Sequence, residues 1–158
     1  MAASSNPLAG FEATLEEYLV KKAPFQLPDN VKEILVKIAP YLVIVGLVLL
    51  IPTLFSAFGM STAFNNPFMA VYAPSLRSAW FLNLATAGIT AVFYVFAVPG
   101  LFSRTAKAWQ LLFYASLVSL IGGVLIGIIG YSGGLLGTLL STLIGWYLLF
   151  QVKGLYRN

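Results

Sequence analysis

Residues 109–150 form a run of 42 positions without a single Lys, Arg, Asp, Glu or His. A small hinge, GYSGG at 130–134, divides that run into apolar arms of 21 and 16 residues. At ~1.5 Å per residue the first arm reaches about 30 Å, the thickness of one hydrocarbon core. The second approaches that length once Gly133, Gly134 and Gln151 are added. Two such arms joined by five small residues make a transmembrane helical hairpin, and little else accommodates them.

The rest of the chain agrees with this reading. Hydrophobic residues make up 59% of the 158 positions and charged residues 9%, where about a quarter is usual for a soluble domain. The mean hydropathy is +0.90. Lipid solvates that much apolar surface; a soluble core of this size does not hide it. Two further spans are expected upstream, so that TM1 covers about 38–58, TM2 about 79–102, TM3 about 108–129 and TM4 about 134–151. The expected fold is all-α: a polytopic transmembrane four-helix bundle over 31–158, preceded by a cytoplasmic tail, 1–30, that carries an amphipathic interfacial helix at about 11–22. The first long apolar run starts at Ile38, so TM1 is expected to serve as the uncleaved insertion signal.

The amphipathic reading rests on Phe11, Leu15, Tyr18, Leu19 and Lys22, spaced i, i+4, i+7, i+8 and i+11. Glu12, Glu16 and Lys21 fall away from that apolar face. Such a short helix lies on the membrane surface or docks on the bundle. After APFQLPDN at 23–30, Asn30 and Glu33 have capping-box spacing, with Asp29 as the alternative cap. TM1 carries Pro40 and Pro52, and a kink is expected at the deeper Pro52. The segment 59–78 is too apolar for a solvated loop, so it is expected to lie against the membrane or cap the bundle, with a short helix near 67–73.

Small residues recur every four positions on both arms of the hairpin: Ser119, Gly123 and Gly127 on TM3, and Gly137, Ser141 and Gly145 on TM4. Helices in lipid associate through close backbone approach, which such faces permit. The short hinge makes the two helices neighbours, so the faces are expected to pack on each other, with oligomerisation or a lipid or pigment groove as the alternatives. On TM2, Asn83, Thr86 and Thr90 form a partly polar face. They serve as interhelical contacts or, alternatively, line a conduit, and for Asn83 a ligand contact is a further alternative. Trp80, Trp109, Trp146 and Tyr156 stand near span ends, where aromatic rings anchor helices at the interface.

With four spans, Lys21, Lys22, Lys32, Lys37, Arg104, Lys107, Lys153 and Arg157 fall on one side and Arg77 on the other. The positive-inside rule then places both termini in the cytoplasm.

Absences bound the chemistry. The sequence has no His and no Cys, which removes imidazole and thiolate metal sites and Cys or His catalysis. Every acid lies between Glu12 and Glu33, outside the spans, so proton-coupled export through a buried carboxylate has no residue to use. No catalytic residue, metal or cofactor is indicated. The bases form no stripe that tracks a phosphate backbone, so nucleic acid is not an expected partner. Lipids are, through headgroup attraction, together with a second copy or a larger membrane complex.

The segments EEYLVKKAPFQLPDNVKEILVKIAPYL (16–42) and IGWYLLFQVKGLYRN (144–158) resemble those of a group of small bacterial four-span membrane proteins without assigned activity. The resemblance implies a bacterial inner-membrane protein with cytoplasmic ends and brings no site residue with it. The expected role is a non-enzymatic scaffold or accessory subunit working through helix–helix packing. The alternative is an oligomeric channel or small-solute conduit lined by the polar residues of TM2.

Overall fold

The computed structural model describes residues 7–23, 25–67, 74–129 and 134–157. Five helices account for most of them: α1 (Pro7–Glu16), α2 (Asp29–Phe64), α3 (Pro74–Phe102), α4 (Ala106–Ile128) and α5 (Leu135–Val152). Among the described residues there is no strand. The chain is an all-α bundle in which α2, α3, α4 and α5 are the long members.

The C-terminal end of α2 differs from expectation. The helix starts at Asp29 and continues through Pro40 and Pro52 as far as Phe64. Its 36 residues reach about 54 Å, well beyond one hydrocarbon core. Residues 59–64 are therefore the last turns of α2, and 74–78 is the first turn of α3. The expected short helix near 67–73 lies outside the described residues apart from Pro67. The capping box does not form. The Pro28 carbonyl accepts from the Val31 and Lys32 amides at 2.9 and 3.1 Å, and the Glu33 side chain reaches across to Arg104 instead.

α3 and α4 make the closest pair. Gly100 lies so near α4 that a Cβ there would stand 2.5 Å from Thr105 Oγ1 and 2.8 Å from the Ala108 methyl. Further along, Thr90 and Ser119 share a hydroxyl hydrogen bond of 3.2 Å, and Thr86 fills the space over Gly122. These three pairs fix an antiparallel register along most of both helices. The turn between them is stopped by Arg104, which takes the left-handed conformation at φ 54°. Thr105 restarts the chain as N-cap of α4, its hydroxyl accepting from the Ala108 amide at 3.3 Å.

α5 lies on the other side of α4. Gly123 accommodates Thr138 and Gly127 accommodates Leu135. α4 is thus central, giving Gly122 to one neighbour and Gly123 to the other. The well-packed core sits at one end, where Trp109, Phe113 and Phe150 are each 2% exposed or less. Trp109 stacks on Phe113 at 5.6 Å and meets Phe150 edge-on at 5.1 Å. Trp146 closes the block beside Phe113 at 5.9 Å. Away from this end, large apolar side chains such as Leu49, Phe55, Phe96, Ile128 and Leu136 face outward, the arrangement lipid requires.

Candidate functional site

Among the described residues, polar groups converge at two places. The first is the end of the bundle that holds the aromatic block. α1 continues into a π-helical turn, Glu17–Lys21, and ends where the Lys22 amide donates to the Glu17 carbonyl at 2.8 Å. Leu15, Leu19 and Val20 pack against the core, and Phe11 meets Trp146 edge-on at 5.8 Å. Polar bonds complete the docking. Gln151 donates to the Leu19 carbonyl at 3.1 Å and the Tyr147 hydroxyl donates to the Phe25 carbonyl at 2.6 Å. Lys153 lies 2.8 Å from Glu12 and 2.5 Å from Glu16, with its ammonium 4.9 Å over the Trp109 ring.

Glu12 and Glu16, which fall away from the apolar face of the expected amphipathic helix, turn together onto Lys153. The two carboxylates are one helical turn apart and repel each other, so a shared cation is the arrangement that relieves both. Nearby, Arg104 grips Glu33 with both guanidinium nitrogens at 3.3 and 3.1 Å, tying the α3–α4 turn to the start of α2. Tyr156 is buried against this cluster. Burial pushes its phenol above the ordinary value, and the nearby Arg104 charge only partly opposes that.

The second place is a cavity of about 340 Å³ bounded by all four long helices. It lies beyond the aromatic block, lined on α3 by Asn83, Thr86, Thr90 and Tyr94, and on α4 and α5 by Ser119, Gly123 and Thr138. Gly46, Leu50 and Ile126 supply apolar wall.

The structure distributes the sequence-level candidates unevenly. Gly123 and Gly127 pack on α5 and Ser119 bonds to α3. The TM4 face does not meet them: an added Cβ at Gly137 or Gly145 encounters nothing within 4 Å, and Ser141 is exposed. The reason is rotational. α5 turns Leu135, Thr138 and Trp146 toward α4, which leaves the adjacent small stripe pointing away. Thr86 bonds back to the Leu82 carbonyl at 2.8 Å, Thr90 makes the interhelical contact, and Asn83 stands exposed in the cavity. As interface anchors, three aromatics are corrected. Trp109, Trp146 and Tyr156 are each 5% exposed or less. The indole N–H of Trp109 donates to the Leu149 carbonyl at 2.8 Å and that of Trp146 to Ser116 Oγ at 2.6 Å. Their rings are core because α1 and the α5 end cover them. Trp80 is half-buried and sits edge-on to Phe81 at 5.3 Å. Sequence reasoning missed Gly122 as the seat of Thr86, and the pairing of Glu33 with Arg104 across 71 positions. Only the small size of Gly122 was visible beforehand.

Among the described residues, no group of three or more His, Cys, Asp or Glu is placed to hold a metal ion. Four helices among the described residues are long and apolar enough to cross a membrane. The chain is, in class, a helical membrane protein built as a four-span bundle. Compared with protein-family models, curated proteins and solved structures, it matches none.

Proposed function

We propose that this protein is a non-enzymatic scaffold or accessory subunit that works through helix–helix packing with a second copy or a larger membrane complex. In this reading it sits in a bacterial inner membrane with both termini cytoplasmic. The observation that carries the proposal is where its charge goes. All five acids are engaged in ion pairs, with Lys153, Lys22, Lys32 and Arg104. Glu12, Glu16 and Glu33 tie separate elements together at the bundle end, which supports a structural role for them. The same end supports the orientation. Lys22, Lys32, Arg104 and Lys153 gather there, and a concentration of bases favours the cytoplasmic side.

The lack of cysteine makes the test direct. Single variants Gly137→Cys and Ser141→Cys place a thiol on the outward small face of α5, where helices approach most closely. They are expected to give disulfide-linked dimers or adducts in native membranes, whereas Leu139→Cys and Leu143→Cys, on the other side of that helix, give few. Monomeric mass in lipid together with no face preference in crosslinking sinks the proposal.

A conduit is the second reading, favoured by the polar lining of the cavity. Its difficulty is the aromatic block, which closes the bundle at one end. Under this reading Asn83→Leu abolishes a flux in proteoliposomes at unchanged oligomer size. Under the scaffold reading no flux exists to be lost.

A further inference from the structure

The cavity beyond the aromatic block has a composition that a packing role does not require. Its eleven lining residues are all uncharged. Asn83, Tyr94 and Thr138 make no side-chain hydrogen bond among the described residues, and among those residues no fully buried polar atom is left without a partner. These groups therefore stand open to the cavity and are not sealed in the protein. On α3 the lining residues Asn83 to Tyr94 straddle the middle of the helix Pro74–Phe102, which places them near bilayer mid-depth. An amide and two hydroxyls left unpaired in hydrocarbon cost free energy, so this wall favours an occupant that bonds to it. Gly46, Leu50 and Ile126 add apolar lining that would be wetted at a cost by water alone. The volume falls within the range of small-molecule sites.

From these features we infer that the cavity binds a membrane-soluble amphiphile whose uncharged head carries oxygens spaced along the wall to reach Asn83, Thr138 and Tyr94, while its tail runs along Leu50 and Ile126. The head is neutral because nothing in the wall balances a charge, and a phosphate or ammonium does not sink to mid-depth unpaired. Phospholipids, held at the interface by their heads, are thereby excluded. Two sources share the required chemistry: a diacylglycerol, through its hydroxyl and ester carbonyls, and an isoprenoid quinone, through its ring carbonyls. The scaffold reading neither needs nor forbids such a ligand.

The test is photocrosslinking of the full chain in phosphatidylcholine nanodiscs. Diazirine-bearing diacylglycerol and diazirine-bearing quinone are supplied in separate arms, with diazirine-bearing phosphatidylcholine as the third. Saturable adducts are expected on α3 and α4 from at least one of the first two arms, and the arm that labels names the source. Asn83→Leu combined with Tyr94→Phe removes polar partners while keeping bulk, and is expected to weaken labelling about tenfold or more. Gly46→Leu fills open space, since an added Cβ there meets nothing within 4 Å. It is expected to abolish labelling without loss of the folded bundle, and so keeps the proposal testable if the double variant fails to fold. Equal labelling by phosphatidylcholine, no saturable adduct from either neutral probe, or undiminished labelling of both folded variants overturns the inference.

Discussion

Replacing Lys153 by Gln should release the N-terminal helix while leaving the four spans intact. Lys153 holds Glu12 and Glu16 at once and sits over the Trp109 ring. The side chains of the three charged partners are 22–40% exposed, so solvent screens the pairs, and each is worth roughly 0.2–1 kcal/mol. The cation–ring contact adds about 0.5–1 kcal/mol. Gln retains an amide that can donate to one carboxylate, but the two acids are then left to repel each other. A net loss of about 1–2 kcal/mol corresponds to roughly 5–30-fold in the docking equilibrium. The ten residues of α1 do not hold a helix alone in water, so undocking is also unfolding. Hydrogen exchange followed by mass spectrometry in nanodiscs reads this directly. Peptides covering 7–22 should exchange faster by that factor, and peptides from α4 should be unchanged. Adding Glu16→Gln to Lys153→Gln should recover part of the loss, because the charge it pairs with is already gone and its repulsion with Glu12 is relieved. Unchanged exchange of 7–22 in Lys153→Gln refutes the latch. Faster exchange of α4 refutes the separation of docking from bundle stability.

Other outcomes follow from single sites. Gly122→Val should destabilise the bundle by about 1–3 kcal/mol in a denaturant titration in micelles, because its Cβ collides with Thr86. Gly137→Ala, which meets open space, should fall within about 0.5 kcal/mol of the parent, and equal effects of the two would contradict the α3–α4 register. At position 104, Ala should be worse than Gly by about 1 kcal/mol, since both lose the Glu33 pair but only Ala keeps the strain of a side chain at φ 54°. Identical stabilities of the two variants would show that this turn relaxes. Tyr156 titrates above its ordinary 10.0 because it is buried. Its contribution is therefore complete below about pH 10 and falls as pH rises through the folded value. Tyr156→Phe should flatten the alkaline limb of the stability profile, and an unaltered limb would assign that limb elsewhere.

Much of the architecture was legible in the residues themselves. The unbroken apolar run 109–150 and the charges that punctuate the chain settle that the helices are long, four in number and suited to lipid, because hydrocarbon accepts no other backbone arrangement for such segments. The repeat of Phe11, Leu15 and Leu19 settles that an amphipathic helix precedes them, since that spacing puts the three on one face.

What only the tertiary structure decided is which face meets which. Helix rotation about its own axis carries no strong sequence signal in lipid, where an outward face and an inward face are both apolar and the usual contrast is lost. That is why the small stripe of α5 could be recognised and yet assigned to the wrong neighbour. It is also why Trp109 and Trp146, placed at span ends like any interfacial ring, turn out to be core. Glu12, Glu16 and Lys153 show the same limit for charge. Their spacing along the chain cannot reveal a shared partner 137 positions away, because that pairing exists only once α1 folds back over the end of α5. The cavity, too, belongs to the assembled bundle: Asn83 and Tyr94 lie on one helix, and the walls that make a site of them come from three others.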